Sequence, residues 1–278
     1  MRSSRVLALI FGPVSEARGH ATTPVFQPDR VPARRSKAGA GVAVVAGVGA
    51  GIGASIARRA AAEGFTTVMV ARKLERLRRI AVAIEQAGGS ADARAVDLRV
   101  EEDVFALFED VVGQFGTPSL VVFNAGSQYR ESILDTTGSM FEKVWRLNCL
   151  AGFFVAREAA RHMVRKQRGT ILFTGATASL RGANGFAAFA SAKFGLRALA
   201  QSMARELGPA GIHVANVIVD GPVDMPAIHE LFPDLAAGLP EDGMMKPADI
   251  ADAYLWLHNQ PRSAWSFEID LRPWAERF

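Results

Sequence analysis

The feature that most constrains this chain is a short apolar run that ends in glycines and is followed by a helical pattern. Val42-Ala43-Val44-Val45-Ala46 reads as a strand buried on both faces, and Gly47-Val48-Gly49-Ala50-Gly51-Ile52-Gly53 follows at once. Residues 51–63 then carry helical periodicity up to Gly64. A glycine turn between a buried strand and a helix permits tight backbone curvature. It also leaves the helix's first N–H groups open to an anion.

The same alternation repeats along the chain. Thr66–Val70 reads as a second strand, 73–87 as a charged amphipathic helix, Ala93–Val96 as a third strand and 101–115 as a third helix. Leu120–Phe123 is a fourth strand, followed by a long helix over 137–167. Thr170–Phe173, a helix over 186–207, His213–Val219, a helix over 248–258 and a last strand at Phe267–Asp270 complete the series. Strands alternating with helices require crossovers. The expected fold is α/β: a single Rossmann-type, doubly wound parallel sheet with helices on both faces. Ligands of such sheets bind beyond the carboxyl ends of the strands. With 49% hydrophobic residues among 278, one large domain can bury a sizeable core.

Residues 1–37 stand apart as an N-terminal extension that is disordered or targeting-like, and the folded domain is expected over 38–278. The extension holds seven Lys/Arg against two Asp/Glu, while the other 25 basic and 26 acidic residues leave the domain nearly neutral. The pI of about 9.6 therefore reflects the extension and not a nucleic-acid groove. Its apolar patch, Val6–Phe11, is short for a signal-peptide core, whereas an organellar transit segment has this Arg-rich, acid-poor composition. No run reaches the ~18–20 apolar residues of a membrane helix. The lone Cys149 excludes an intrachain disulfide, fits a cytoplasmic chain and reads as a packing residue.

Further motifs fall at the ends of the expected strands. The glycine spacing Gly47, Gly51, Gly53, then Asp97-Leu98, Asn124-Ala125-Gly126, Asn148 and Lys193 together resemble the short-chain dehydrogenase/reductase family over most of residues 41–270. The resemblance implies a nicotinamide dinucleotide cofactor, held by Gly47, Gly49, Gly51, Ile52 and Gly53 at the pyrophosphate. Asp97 and Leu98 would lie at the adenine. Asn124, Ala125, Gly126, Lys193, Gly221 and Val223 would lie along the rest. It also implies a small-molecule substrate, no metal and no membrane or nucleic-acid partner. A homodimer or homotetramer paired through the long helices is expected. Taken singly, each residue has a plainer reading: Asp97 as a helix cap, Asn148 as a packed amide, Lys193 as a solvated cation.

Cofactor choice is read after the second strand. An acid there would bind the ribose 2′-OH of NAD(H), but Ala71 is followed by Arg72 and Lys73, whose charges suit the 2′-phosphate of NADP(H). NADP(H) is preferred and NAD(H) stays open, since Arg72 and Lys73 also fit a solvated helix start.

At the reaction centre the resemblance implies a tyrosine four residues before Lys193 and a serine thirteen before that tyrosine. Those positions hold Phe189 and Ala176. Phe189 has no proton to give, and loss of a general acid/base costs about 10²–10⁴ in rate. Tyr129, Thr177 and Thr174 are the nearby candidates for a substitute donor. For Tyr129 the alternative is a loop aromatic, and Tyr254 reads as packed. Two functions follow: an oxidoreductase with a non-standard proton path, acting on a small apolar carbonyl, alcohol or enone, or a catalytically impaired NADP(H)-binding protein with a sensor or structural role. Residues 220–247 read as a substrate lid, with Met225, Leu231, Phe232, Met244 and Met245 supplying apolar surface.

Overall fold

A computed structural model of the chain describes residues 41–276 apart from Phe232. The expectations for residues 1–37 and for Phe232 lie outside the described residues. The described chain forms a seven-stranded sheet in the order β3-β2-β1-β4-β5-β6-β7, with every pairing parallel. The strands are β1 (Val42–Ala46), β2 (Thr66–Ala71), β3 (Ser90–Ala95), β4 (Leu120–Phe123), β5 (Gly169–Ala176), β6 (Ile212–Val219) and β7 (Glu268–Leu271).

The order reverses between β1 and β4. Crossovers leave in opposite directions there and open a crevice at the carboxyl edge. Strand side chains alternate between two apolar layers. Val42, Val44 and Ala46 pack on the side of α3 (Glu101–Phe115), α5 (Ala151–Val164) and α6 (Ala187–Leu207). Ala43 and Val45 pack on the side of α1 (Ile52–Ala62), α2 (Leu74–Gln86) and α9 (Pro247–His258). Burial on both faces explains why β1 and β4 are uninterrupted apolar runs.

Several boundaries differ from those read in the sequence. β3 spans Ser90–Ala95, not 93–96. As an edge strand it carries Asp92 and Arg94, joined to each other and to Asp110 by ion pairs, so its apolar signal is weak. β5 runs on to Ala176 because Thr174, Gly175 and Ala176 keep pairing with β6.

The long helix is not uniform. α4 (Gly138–Trp145) passes through a π-turn at Arg146–Leu150 before α5, and the helix stops at Val164. Gln167 then adopts φ 48 in the turn to β5. Thr137 caps its start, with Oγ1 accepting from Met140 N at 3.2 Å.

The 220–247 segment contains two one-turn helices, α7 (Pro226–Leu231) and α8 (Pro233–Gly238), each opened by a proline whose fixed φ suits that place. A parallel bridge between Val223 and Met245 ties its ends together. No helix among the described residues is long and apolar enough to cross a membrane.

Candidate active site at the carboxyl edge of the sheet

A cleft of about 1310 Å³ opens at the β1/β4 reversal and extends toward β5 and β6. One end is made by the β1–α1 turn. Gly47 has φ +97, and a Cβ there would lie 2.3 Å from the backbone N of Ala125. Conformation and space thus both demand glycine. Asn124 Nδ2 donates to Gly47 O at 2.9 Å, fastening the turn to the end of β4. Asn124 Oδ1 accepts from Thr174 Oγ1 at 3.1 Å, and Thr174 Oγ1 lies 2.6 Å from the Tyr254 hydroxyl. A hydrogen-bonded line therefore runs from α9 through β5 and β4 to the glycine turn. Gly49 faces open space, and no side chain caps the first turn of α1, which leaves its N–H groups toward the cleft.

Beyond β2, Arg72, Lys73 and Arg76 line the same cleft, opposite Asp97 and Leu98. Hydrogen bonds from Arg99 hold the Asp97 carboxyl well below the usual range, at about 2, so it is an anion at neutral pH. Arg72 and Lys73 lie in the turn after β2, and Arg76 is in the first turn of α2.

The opposite wall brings Lys193, Asn148, Phe189, Ala176 and Thr177 together. Lys193, on α6, is 5% exposed, and its Nζ donates to Thr174 O at 2.9 Å. Burial pulls its pKa down to about 8, partly opposed by the Cys149 thiol. The ammonium also sits 5.8 Å from the centre of the Phe189 ring, a cation–π contact in a nearly dry site.

Asn148 is fully buried inside the π-turn. Its Nδ2 donates to Val144 O at 2.9 Å and Ser127 O at 3.2 Å, while its Oδ1 accepts from Ser127 N at 3.3 Å. Gly126 fits between these groups because a Cβ would meet Asn148 Oδ1 at 2.7 Å.

The hydroxyls near Ala176 are already engaged. Thr174 bonds Asn124 and Tyr254 as described, and Ser179 Oγ accepts from Ala176 N at 3.1 Å. Thr177 Oγ1 donates to Asp220, a carboxylate 3% exposed whose other oxygen meets Arg272 Nη2 at 3.1 Å. The sequence reading missed this Asp220–Arg272 pair. A charged residue directly after the apolar end of β6 was the available signal.

Tyr129 is not on the cleft wall; it packs against the cluster of Val144, Ala178, Ala188, Phe189 and Ala190. Tyr254 is fully buried. Gly221 and Val223 line the cleft, as do Met225, Ile228 and Leu239 of the segment above it. Met225 sits directly on Gly51, whose added Cβ would lie 2.0 Å from the sulfur. Met245 is buried in the α1/α9 layer and Met244 faces a separate hollow beside Trp274. The side chain of Leu231 lies outside the described residues. Arg130 and Arg181 also line the cleft and were not anticipated.

Comparison with known proteins agrees with this architecture. Residues 41–235 match the family model described as short chain dehydrogenase. The short-chain reductase protein NovJ of Streptomyces niveus is 35% identical over 208 residues, covering 74% of this chain and 78% of that protein. The crystal structure of a short-chain dehydrogenase from Rhodopseudomonas palustris superposes with a TM-score of 0.71 at 47% identity, over 84% of this chain and 99% of that one. A metagenomic short-chain oxidoreductase, solved in complex with NADP, gives a TM-score of 0.73 at 28% identity over 85% of this chain and 98% of its own. Fold, cleft and sequence likeness together establish that the chain belongs to the short-chain dehydrogenase/reductase family of oxidoreductases.

Proposed function

We propose that this chain is an NADP(H)-dependent oxidoreductase with a non-standard proton-transfer site, acting on a small apolar carbonyl, alcohol or enone. The carrying observation is one continuous cleft that joins an open glycine turn, a cluster of cations after β2 and a buried lysine. The residues present fit the cofactor. Gly49 leaves room for a pyrophosphate, the uncapped start of α1 offers N–H donors, and Arg72, Lys73 and Arg76 supply cations on the cleft wall that suit a 2′-phosphate. The family neighbour solved with NADP supports the same choice. When bound, the cofactor supplies or accepts the hydride.

The chain's own residues then orient and protonate. Asn148 and Lys193 position groups at the far wall, and Lys193 at about pKa 8 can exchange a proton near neutral pH. Phe189 and Ala176 supply no proton, in the positions where the family resemblance implies tyrosine and serine. The proton must come from Lys193 or from water it holds. The reading extends to a cytoplasmic homodimer or homotetramer. Phe141, Trp145, Phe153 and Phe194 leave apolar surface on α4, α5 and α6, and light scattering tests that assembly.

NADPH fluorescence titration followed by consumption assays over carbonyl and enone substrates tests the proposal. Tight NADPH binding with no turnover of any class would favour a second reading, an impaired NADP(H)-binding protein. That reading is favoured by the commitment of Thr174, Thr177 and Ser179 to other partners. Replacing Phe189→Tyr together with Ala176→Ser separates the two. On the second reading, turnover rises by about 10²–10⁴ from a negligible base. On the first, the native chain already turns over comparably.

A further inference from the structure

The substrate end of the cleft carries charge that the proposed cofactor does not need. Arg130 lies on the segment between β4 and α4, and Arg181 on the segment between β5 and α6. Both line the cleft and both are exposed. Among the described residues neither forms a salt bridge, whereas Arg59, Arg94, Arg99, Arg157 and Arg197 are all paired with acids. The acids on the cleft wall are occupied elsewhere. Asp97 is bound by Arg99 at the opposite end, and Glu276 lies beside Gly221 and Pro273.

Arg130 is also positioned rather than merely present. Glu131 N donates to Gly185 O at 2.8 Å, which fixes its loop to the start of α6. Gly185 has φ +80, and a Cβ there would lie 3.1 Å from Arg130 Cγ, so the arginine stem crosses a place only glycine leaves open. The guanidinium is held 5.7 Å from the centre of the Phe186 ring. Phe186 and Phe189 make the adjoining wall apolar, and Ile228 and Leu239 face the same space. Arg130 over the Phe186 ring, and Arg181 five residues before Phe186 on the loop that enters α6, suit one chemistry: an apolar body carrying an oxyanion.

We propose that Arg130 and Arg181 form an oxyanion-recognition subsite, and that the substrate is an apolar carbonyl or alcohol bearing a carboxylate or phosphate group. This deepens the proposed oxidoreductase reading and rests on it for the reacting carbonyl. Neither arginine is assigned to the proton transfer; both orient the substrate and set its class.

The test is calorimetric titration of the full chain, with NADP⁺ present and absent. The probes are 4-oxo-4-phenylbutanoate, its phosphonate analogue and its neutral primary amide. At least one anionic probe is expected to bind tenfold or more tightly than the amide. The preference should fall below threefold in the R130Q/R181Q double variant and shrink between 50 and 500 mM NaCl, as exposed charges are screened. A stronger response to the carboxylate or to the phosphonate identifies the natural group. If no anionic probe exceeds the amide threefold, or if the preference survives in the double variant, the subsite is overturned. NADPH fluorescence keeps the two ideas apart. Its loss in the native chain sinks the cofactor reading, while the oxyanion preference of the unloaded chain still decides this one. In R130Q/R181Q, NADPH affinity should stay within threefold of native, which rules out a folding defect.

Discussion

At the β1–α1 turn the cleft is made of backbone; around β5 and β6 it is made of side chains. At the first end, Gly47 and Gly53 are excluded from carrying a side chain by neighbouring backbone atoms, and the groups offered to a ligand are N–H donors at the start of α1. At the second, the wall is formed by the side chains of Lys193, Asn148, Phe189 and Thr177. A site made of backbone can be altered only by damaging the fold. A site made of side chains can be rewritten by one substitution while the fold stays intact. Phe189, well packed against Ala188 and Ala190, occupies its place without disturbing α6.

Substitutions can break or sharpen this contrast. The largest effect is expected from Gly47→Val, which forces a β-branched residue into φ +97 and into the Ala125 backbone. It should cost ~3 kcal/mol or more, lower the thermal midpoint by roughly 10 °C and abolish NADPH binding in a fluorescence titration. Retained binding would mean that the turn is not what holds the cofactor.

Next comes Arg72→Glu, a change in the side chains that stand beside the backbone-built turn. NADPH should bind about 10–100-fold more weakly and NADH more tightly, with the melting temperature little changed. Equal losses for both cofactors would show that Arg72 does not read the 2′-phosphate.

Lys193 gives a pH signature. Burial holds its pKa at about 8, below the ordinary 10.5, so the folded protein releases this proton before the unfolded chain does. Between those values the unfolded state binds more protons, and stability rises with pH; below about 8 the cost of the buried charge is present in full. Denaturant melts of Lys193→Met should lose about 1–3 kcal/mol of this rise across the window. An unchanged profile would place the charged lysine in better contact with solvent than its burial indicates.

The smallest effect is expected from Tyr254→Phe, which removes one end of the line reaching Gly47 through Thr174 and Asn124. Stability should fall by about 1 kcal/mol, and a weaker NADPH affinity alongside it would show that α9 helps shape the glycine turn. Stability loss with unaltered affinity would confine Tyr254 to the core.

The same contrast governs what the sequence revealed. The alternation of strands and helices, the glycine turn and the cations after β2 follow from local pattern, because apolar runs, glycine spacing and charge are local properties. β3 was misplaced because an edge strand satisfies Asp92 and Arg94 through ion pairs that no periodicity records. The π-turn was invisible because its residues, Arg146-Leu147-Asn148-Cys149-Leu150, carry no breaker. Thr177 and Asp220 lie 43 positions apart and meet because β5 and β6 are neighbours. Arg130 needed the loop contact with Gly185 to become a wall residue. Tyr129 was held open as a donor on its position after β4, and only packing shows that it turns toward Val144 and Ala188.

The π-turn makes the length of one helix matter in its own right. Each residue of an α-helix advances ~100° around the axis, and a π-turn absorbs one extra residue so that the segments on either side keep their facing. Here α4 presents Val144 to the Phe189 cluster while α5 presents Val155, Ala159 and Met163 to the sheet, and Asn148 lies at the splice. Removing one residue of 146–150 would leave that facing unchanged, but forcing all five into regular α-helix would rotate one segment by ~100° against the other. Either Asn148 would swing away from Gly126 and Ser127, or the buried stripe of α5 would turn toward water. Surface positions of this helix can change freely in kind, but all the residues present between Val144 and Val155 need the wider turn that serves both buried stripes.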